Sequence, residues 1–279
     1  MTTHWRTAAA TALMAMVLAW PSPAPADCAT GKRLYRAAVN ETDLARRIAL
    51  LRDSLDTCDD FNACYELGKA YEADGRLAKA VVAYRDARIL AGSDQARAKT
   101  LVRLGLVYEQ MDRPFEAYAC FRESTGYHAF PGVMAHLRAM DRRRMAEGLS
   151  SAEIKRALTA SRSNFDVRPS LDLYIHFEYD SHRLGAEGRR QADALGRALT
   201  DPSLAGKAVT LVGHTDTAGS QTYNLPLSER RAAAVKSYLV SRFPLSPEKI
   251  RIMGRGEAEP RYTAPTDQGL NRRVEVRVQ

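Results

Sequence analysis

The sequence holds only four cysteines and two tryptophans in 279 residues, and no cysteine pair has the spacing of a zinc site. It lacks any familiar Ser or Cys nucleophile motif, so hydrolysis through such a nucleophile is a poor fit. No apolar run beyond Trp20 is long enough for a membrane helix. Compositional bias is also missing. With 45% hydrophobic and 27% charged residues, the chain has material for cores and too little skew for wholesale disorder. At this length two modest domains are expected rather than one.

What is present begins with export. His4 and Arg6 open a short polar start, Thr7 to Trp20 is largely apolar, and Ala24-Pro25-Ala26 offers a small-x-small cleavage site. Residues 1–26 therefore read as a secretory signal; a buried N-terminal helix is the alternative, but the run shows no amphipathic pattern. Asp27 before Cys28, and Pro25 where a lipoprotein signal carries an aliphatic residue, argue against lipidation. The mature chain is expected to start near Asp27 in an oxidising compartment, without a transmembrane segment. Four cysteines there allow up to two bridges in three pairings. Cys28 and Cys58 bracket the first helical segment and are the first candidates for a disulfide. Cys64 and Cys120 lie inside helical patterns, where a small buried hydrophobe serves as well. The formal charge of +8 is spread along the chain, and an exported protein is not expected to have nucleic acid as a partner. The dense run Arg142-Arg143-Arg144 reads as a solvated helix end.

The first half repeats itself. Leu67-Gly68, Tyr71, Ala80, Tyr84 and Ala87 recur as Leu104-Gly105, Tyr108, Ala117, Phe121 and Ser124, each 37 residues further on. Such a set puts small residues where paired amphipathic helices approach and aromatic residues where they pack, and it resembles tetratricopeptide repeats. The usual repeat is about 34 residues, so an extended turn is expected around Ala91-Gly92-Ser93-Asp94. Leu34 and Tyr35, followed by the stripe Leu44, Ile48, Leu51 and Leu55, point to an earlier degenerate unit, and Val133, Leu137 and Met140 to a cap. Residues 27–140 are thus expected to form an all-α helical repeat domain. The resemblance implies an interaction module for a protein partner; a mere spacer is the plainer alternative.

Residues 141–170 lose the repeat. Ser150-Ser151-Ala152-Glu153 has the form of a capping box opening a short helix through Leu158, and Ser161 to Ser170 reads as connector. The two halves are expected to move relative to one another unless that short helix docks.

Beyond the connector, Leu171, Leu173, Ile175, Phe177 and Tyr179 alternate with polar residues, the pattern of a strand with one buried face. A helix is expected over Leu184–Leu199, a strand over Val209–Val212, a helix from about Asn224 to Ser241, and strands over Ile250–Gly254 and Arg273–Val278. The plan is α+β, in the order β-α-β-α-β-β, with helices on one face of a mixed sheet and the other face partly solvated.

Four ordered motifs run through it: Gly213-His214-Thr215-Asp216-x-x-Gly219, Asn224-x-x-Leu227-Ser228-x-x-Arg231-Ala232, Gly254-x-Gly256-Glu257-x-x-Pro260, and Asn271-Arg272-Arg273-Val274. Together they resemble the OmpA-like peptidoglycan-binding domain, over residues 171–279. The resemblance implies a non-enzymatic, cofactor-free grip on the diaminopimelate of a peptidoglycan stem peptide. It places the protein in the periplasm of a Gram-negative bacterium, wall-associated and at most peripheral to the outer membrane. By motif position it assigns the ligand's ammonium to Asp216 and its carboxylate to Arg231, with Asn224, Thr215 and Arg272 lining the site. The Tyr179-Asp180-Ser181 turn would add backbone contacts.

The residues themselves lend part of this support. Leu227, Arg231, Val235 and Leu239 form a helical stripe in which Arg231 alone is charged, so it either meets a partner or snorkels past its stem. A guanidinium suits a carboxylate because its planar fork makes two parallel charge-assisted bonds. Asn224, two turns earlier, can face the same ligand or serve as the helix N-cap. Arg272 shares strand parity with Val274, Val276 and Val278, and an internal salt bridge to Asp216 is its alternative role. His214 is not expected to hold a metal, since the nearest histidines, His176 and His182, belong to another strand and its turn. The expected function is a wall anchor whose repeats hold a protein partner. The rival is a repeat scaffold of an envelope assembly or secretion machine, for which wall binding is only localisation.

Overall fold

The structure, a computed structural model, describes residues 28–159, 170–178 and 181–279. The signal segment, nearly all of the Ser161–Ser170 connector, and Tyr179 and Asp180 lie outside the described residues. Side-chain caps set the starts of several helices in the first half: Asp43, Asp60 and Ser93 each accept from a backbone N–H three residues on, satisfying donors a helix leaves orphaned. The helices run α1 (Cys28–Asn40), α2 (Leu44–Thr57), α3 (Phe61–Ala73), α4 (Leu77–Leu90), α5 (Asp94–Gln110), α6 (Pro114–Tyr127) and α7 (Pro131–Glu147). They stack as three antiparallel pairs with α7 following, around a shared core that includes Leu51, Tyr71, Tyr84, Leu104, Tyr108, Phe121 and Leu137. Gly68 and Gly105 sit where the ring of the next helix lies against the backbone: an added Cβ would come within 2.6 Å of Tyr84 and 2.5 Å of Phe121.

The expected extended turn after Leu90 is absent. Ser93 caps a tight connection, Asp94 already lies in the first turn of α5, and the extra length of the repeat appears as a longer helix, 17 residues against 13 in α3. Cys28 is disulfide-bonded to Cys58, tying the start of α1 to the end of α2. Cys64 and Cys120 are buried free thiols, and burial, with Asp86 nearby, pushes the Cys64 thiol up to about 12.

The second half contains α8 (Ser151–Thr159), β1 (Ser170–Leu173), α9 (Ala186–Leu199), β2 (Val209–His214), α10 (Gln221–Arg242), β3 (Ile250–Gly256) and β4 (Val274–Val278), with 3-10 turns at Pro247–Lys249 and Pro265–Asn271. The sheet order is β1-β4-β2-β3; β2 and β3 are parallel, and β4 runs antiparallel to both β1 and β2. Strand parity puts Leu171, Leu173, Val209, Leu211, Val274, Val276 and Val278 on one face, under Leu195 and Leu199 of α9, Val235 and Leu239 of α10, and Ile154 and Leu158 of α8. The capping box of α8 forms, with Ser150 and Glu153 bonded reciprocally. The first strand is shorter than the alternation predicts. Its partner β4 begins at Val274, paired with Leu173, while the carbonyl just before it, on Arg273, accepts from His214. Beyond Leu173 no ladder partner remains, so Tyr174 and Ile175 stay buried without pairing, and Phe177 forms only an isolated bridge with Leu184.

The opposite face departs further from expectation. It is solvated along β3, where Arg251 and Arg255 are exposed, but over β1 and β4 the repeat domain covers it. Asp172 and Glu275, register partners across β1 and β4, are both buried. Arg122 of α6 reaches both, at 3.6 Å and 3.3 Å. Arg261 and Arg273 complete the shell of Asp172 at 3.1 and 3.2 Å, and Arg277 binds Glu275 at 2.8 Å. Burial alone would raise both acids, yet Arg122, Arg261 and Arg273 hold Asp172 down at about 2, and the groups around Glu275 hold it far below the usual range. Beside this cluster, Asp141 of α7 accepts from Tyr118 of α6 at 2.9 Å and from Tyr262 of the C-terminal domain at 2.7 Å. Arg142 stays exposed, as a solvated helix end would have it, yet its guanidinium also pairs with the buried Asp267 at 2.7 Å. Arg144 is the buried member of the run, with its guanidinium 3.7 Å from the Tyr118 ring centre, while Arg142 and Arg143 are exposed. The two halves are docked through α6, α7 and α8.

Candidate functional site

The site forms where β2 hands over to α10. That helix crosses β2 so closely that a Cβ on Gly213 would lie 2.0 Å from the Ser228 carbonyl, which explains why the chain carries glycine there. Ser228, fully buried, accepts through its hydroxyl from the backbone N–H of Gly256 at 2.9 Å, and Thr215 N–H donates to the Gly256 carbonyl at 2.9 Å. Three of the sequence motifs are thereby stitched together at Gly256, behind the loop that carries Asp216.

Asp216 is held at the mouth of this loop. One carboxylate oxygen accepts from Ala218 N–H at 3.3 Å, and the other receives Arg272 Nη1 at 2.6 Å. Thr215, just before it, is buried with a hydroxyl that has no hydrogen-bond partner, a costly state unless a ligand or water completes it. Asn224 is not the N-cap. Ser220 takes that place and accepts from Tyr223 N–H, which frees the Asn224 amide to donate to the Ala218 carbonyl at 3.0 Å and to Glu257 at 2.5 Å. Arg231, two turns along α10, is buried; its Nε donates to the Ser181 carbonyl at 3.1 Å, and its guanidinium lies 5.1 Å from the Phe177 ring centre. Its stem does not snorkel into solvent: the charge is drawn inward against the turn after β1. Of that turn, Ser181 makes this backbone contact, while Tyr179 and Asp180 lie outside the described residues.

Arg272 departs from strand parity. The strand begins only at Val274, and Arg272 ends the 3-10 segment, its N–H on the Gly269 carbonyl. Its side chain is 54% exposed and lies over Asp216. Arg273 is the buried member of the pair, bonded to Asp172. Three participants carried no signal of their own in the sequence: Glu257, which orients Asn224; Gln268, whose Oε1 accepts from both the N–H and the hydroxyl of Thr217; and Phe177 beneath Arg231. Glu257 sits within a motif and was open to notice on that ground; Gln268 sits in none.

His214, Glu259 and Glu275 bring their donor atoms within 4.8 Å of one another. Glu275 is already neutralised by Arg277 and Arg122, and these guanidiniums make the cluster a poor host for a cation. Burial lowers the His214 pKa, keeping the ring neutral, 3.6 Å from Glu275.

Residues 176–273 match the OmpA family, and residues 61–87 match the tetratricopeptide repeat. The C-terminal domain is OmpA-like, and tetratricopeptide-type helices precede it. Over 104 residues the chain is 38% identical to "Outer membrane protein A" of Bordetella avium, covering 37% of this chain and 52% of that protein. Over 105 residues it is 39% identical to "Peptidoglycan-associated lipoprotein" of Pseudomonas aeruginosa, covering 37% of this chain and 60% of that one. The chain thus spans about half to three fifths of these relatives. The solved OmpA-like domain of FopA1 from Francisella tularensis aligns with 26% identity and a TM-score of 0.34, over 39% of this chain and 75% of that chain.

Proposed function

We propose that the C-terminal domain binds peptidoglycan non-covalently by gripping the free end of diaminopimelate in a stem peptide, and that the helical repeats hold a protein partner near the wall. The single observation that carries the binding half is the layout of charge: Asp216 on the loop after β2 and Arg231 on α10, with Asn224 between them bonded to the Ala218 carbonyl of the Asp216 loop. A zwitterionic centre needs one anion and one cation, and this unit supplies one of each. The unpartnered Thr215 hydroxyl adds a polar group for the ligand to satisfy. The match of this stretch to the OmpA family and the name of the Pseudomonas aeruginosa relative support the choice of ligand. The role is attachment, without turnover, in the periplasm; among the described residues no helix is long and apolar enough to cross a membrane.

The test is sedimentation of the exported chain with insoluble peptidoglycan sacculi. Native protein should pellet, whereas Asp216→Ala and Arg231→Ala, with unchanged circular dichroism, should lose about tenfold or more in affinity, as truncating one partner of a charge pair does. Native protein that stays in the supernatant, or variants that pellet equally, would overturn the reading.

A further inference from the structure

The segment that delivers Arg272 to Asp216 is not held by the C-terminal domain alone. Asp267, in the 3-10 segment Pro265–Asn271, is 1% exposed and takes Arg138 of α7 at 2.8 Å and Arg142 of α7 at 2.7 Å. Just upstream, Tyr262 donates its hydroxyl to Asp141 on the same helix. The segment is tied across its base, since the fully buried Asn271 side chain accepts from the N–H groups of Arg261 and Tyr262 and donates to the Tyr262 carbonyl. On its other side Gln268 grips Thr217, next to Asp216. Helix α7, the 3-10 segment and the Asp216 loop therefore form a continuous chain of contacts.

We propose that Arg138 and Arg142 of the repeat domain are positioning residues for the Asp216 site, holding the 3-10 segment so that Arg272 caps the acid until a ligand's ammonium displaces it. This rests on the wall-binding reading above. Arg272 and an incoming ammonium are like charges competing for one carboxylate oxygen, and they cannot both sit at 2.6 Å from it without repulsion. The cap is exchangeable because Arg272 is half exposed. By linkage, whatever loosens the clamp on Asp267 weakens the cap and tightens ligand binding, and ligand binding in turn loosens the clamp on α7. The repeats would then sense whether the wall site is filled.

The experiment uses the full exported chain with Arg138→Gln/Arg142→Gln, and Arg142→Gln alone as a milder variant. Without any ligand, amide hydrogen exchange should speed up in residues 265–272 and also in 214–219; a change that stops at 265–272 overturns the positioning claim. With sacculi, the double variant should half-saturate at about two- to five-fold lower wall concentration, the span of an exposed ion pair. Unchanged or weaker binding overturns the cap. Should native protein not pellet at all, the wall reading fails, and the exchange measurement alone decides whether α7 positions the loop.

Discussion

Within the repeat stack, helices meet through apolar rings seated on glycine; at the junction between the halves, they meet through buried charge. The first kind of contact recurs, as Tyr84 on Gly68 and Phe121 on Gly105. The second occurs once, with Asp172, Glu275, Asp141 and Asp267 gathering arginines and tyrosines from both domains. Packing of rings stabilises in proportion to area and tolerates substitution gradually. A buried ionic cluster adds little net stability when complete and costs much when one member is removed.

That contrast breaks most sharply at single members of each kind of contact. Asp172→Ala leaves Arg273, itself 2% exposed, without its main counter-charge, and should cost about 3–5 kcal/mol of unfolding free energy. Phe121→Ala should cost a comparable amount, about 3–5 kcal/mol, through the cavity it leaves. Urea denaturation separates the two by what rescues them: a second substitution Arg273→Met should recover stability at the junction, and no charge change should help the stack. Next in size, reducing the Cys28–Cys58 bridge should cost about 2–4 kcal/mol. Because stacked repeats contact only their neighbours, faster hydrogen exchange should be confined to α1 and α2. Arg122→Met is expected to cost less, about 1–3 kcal/mol, since Asp172 and Glu275 keep other arginines, and to expose the junction to protease before the stack.

Acid gives the smallest and sharpest test. Asp172 has a folded-state pKa held at about 2 against an ordinary 3.8, so its contribution is present above about pH 4 and is lost as pH falls toward 2. Glu275 is shifted in the same direction. Asp141 has the opposite sign: burial raises it despite the bond from Tyr262, so its contribution weakens as pH rises through the usual carboxylate range. With the two lowered acids outweighing it, hydrogen exchange near pH 3 should rise in residues 262–278 before it rises in 61–108.

The same contrast explains what the sequence let one read. The 37-residue recurrence exposed the stack because each unit repeats one packing problem, and the ordered glycine-bearing motifs placed Asp216, Asn224 and Arg231 on one loop and helix. Strand alternation overshot β1, because alternation reports burial, and Tyr174 and Ile175 are buried without a ladder. The junction was illegible. Arg122, Asp141 and Asp267 stand alone in their elements with no periodicity, and Arg142 and Arg144 looked like a surface run until the acid and the rings they face came from other parts of the chain. Two local expectations fail for a similar reason, the cap alternative for Asn224, which Ser220 takes, and the strand parity of Arg272, since the 3-10 segment delays β4 by one residue; the salt bridge expected as the alternative role of Arg272 forms with Asp216.

The most direct test of the central claim is release of sacculus-bound protein by small competitors that divide the ligand into its parts. Meso-diaminopimelate should release the protein, while 1,5-diaminopentane, which has the ammonium groups without carboxylates, and pimelate, which has the carboxylates without ammonium, should each fail at the same concentration. Equal release by diaminopentane would reduce the binding to simple cation exchange at Asp216, and no release by diaminopimelate would contradict recognition of the zwitterionic centre by Asp216 and Arg231.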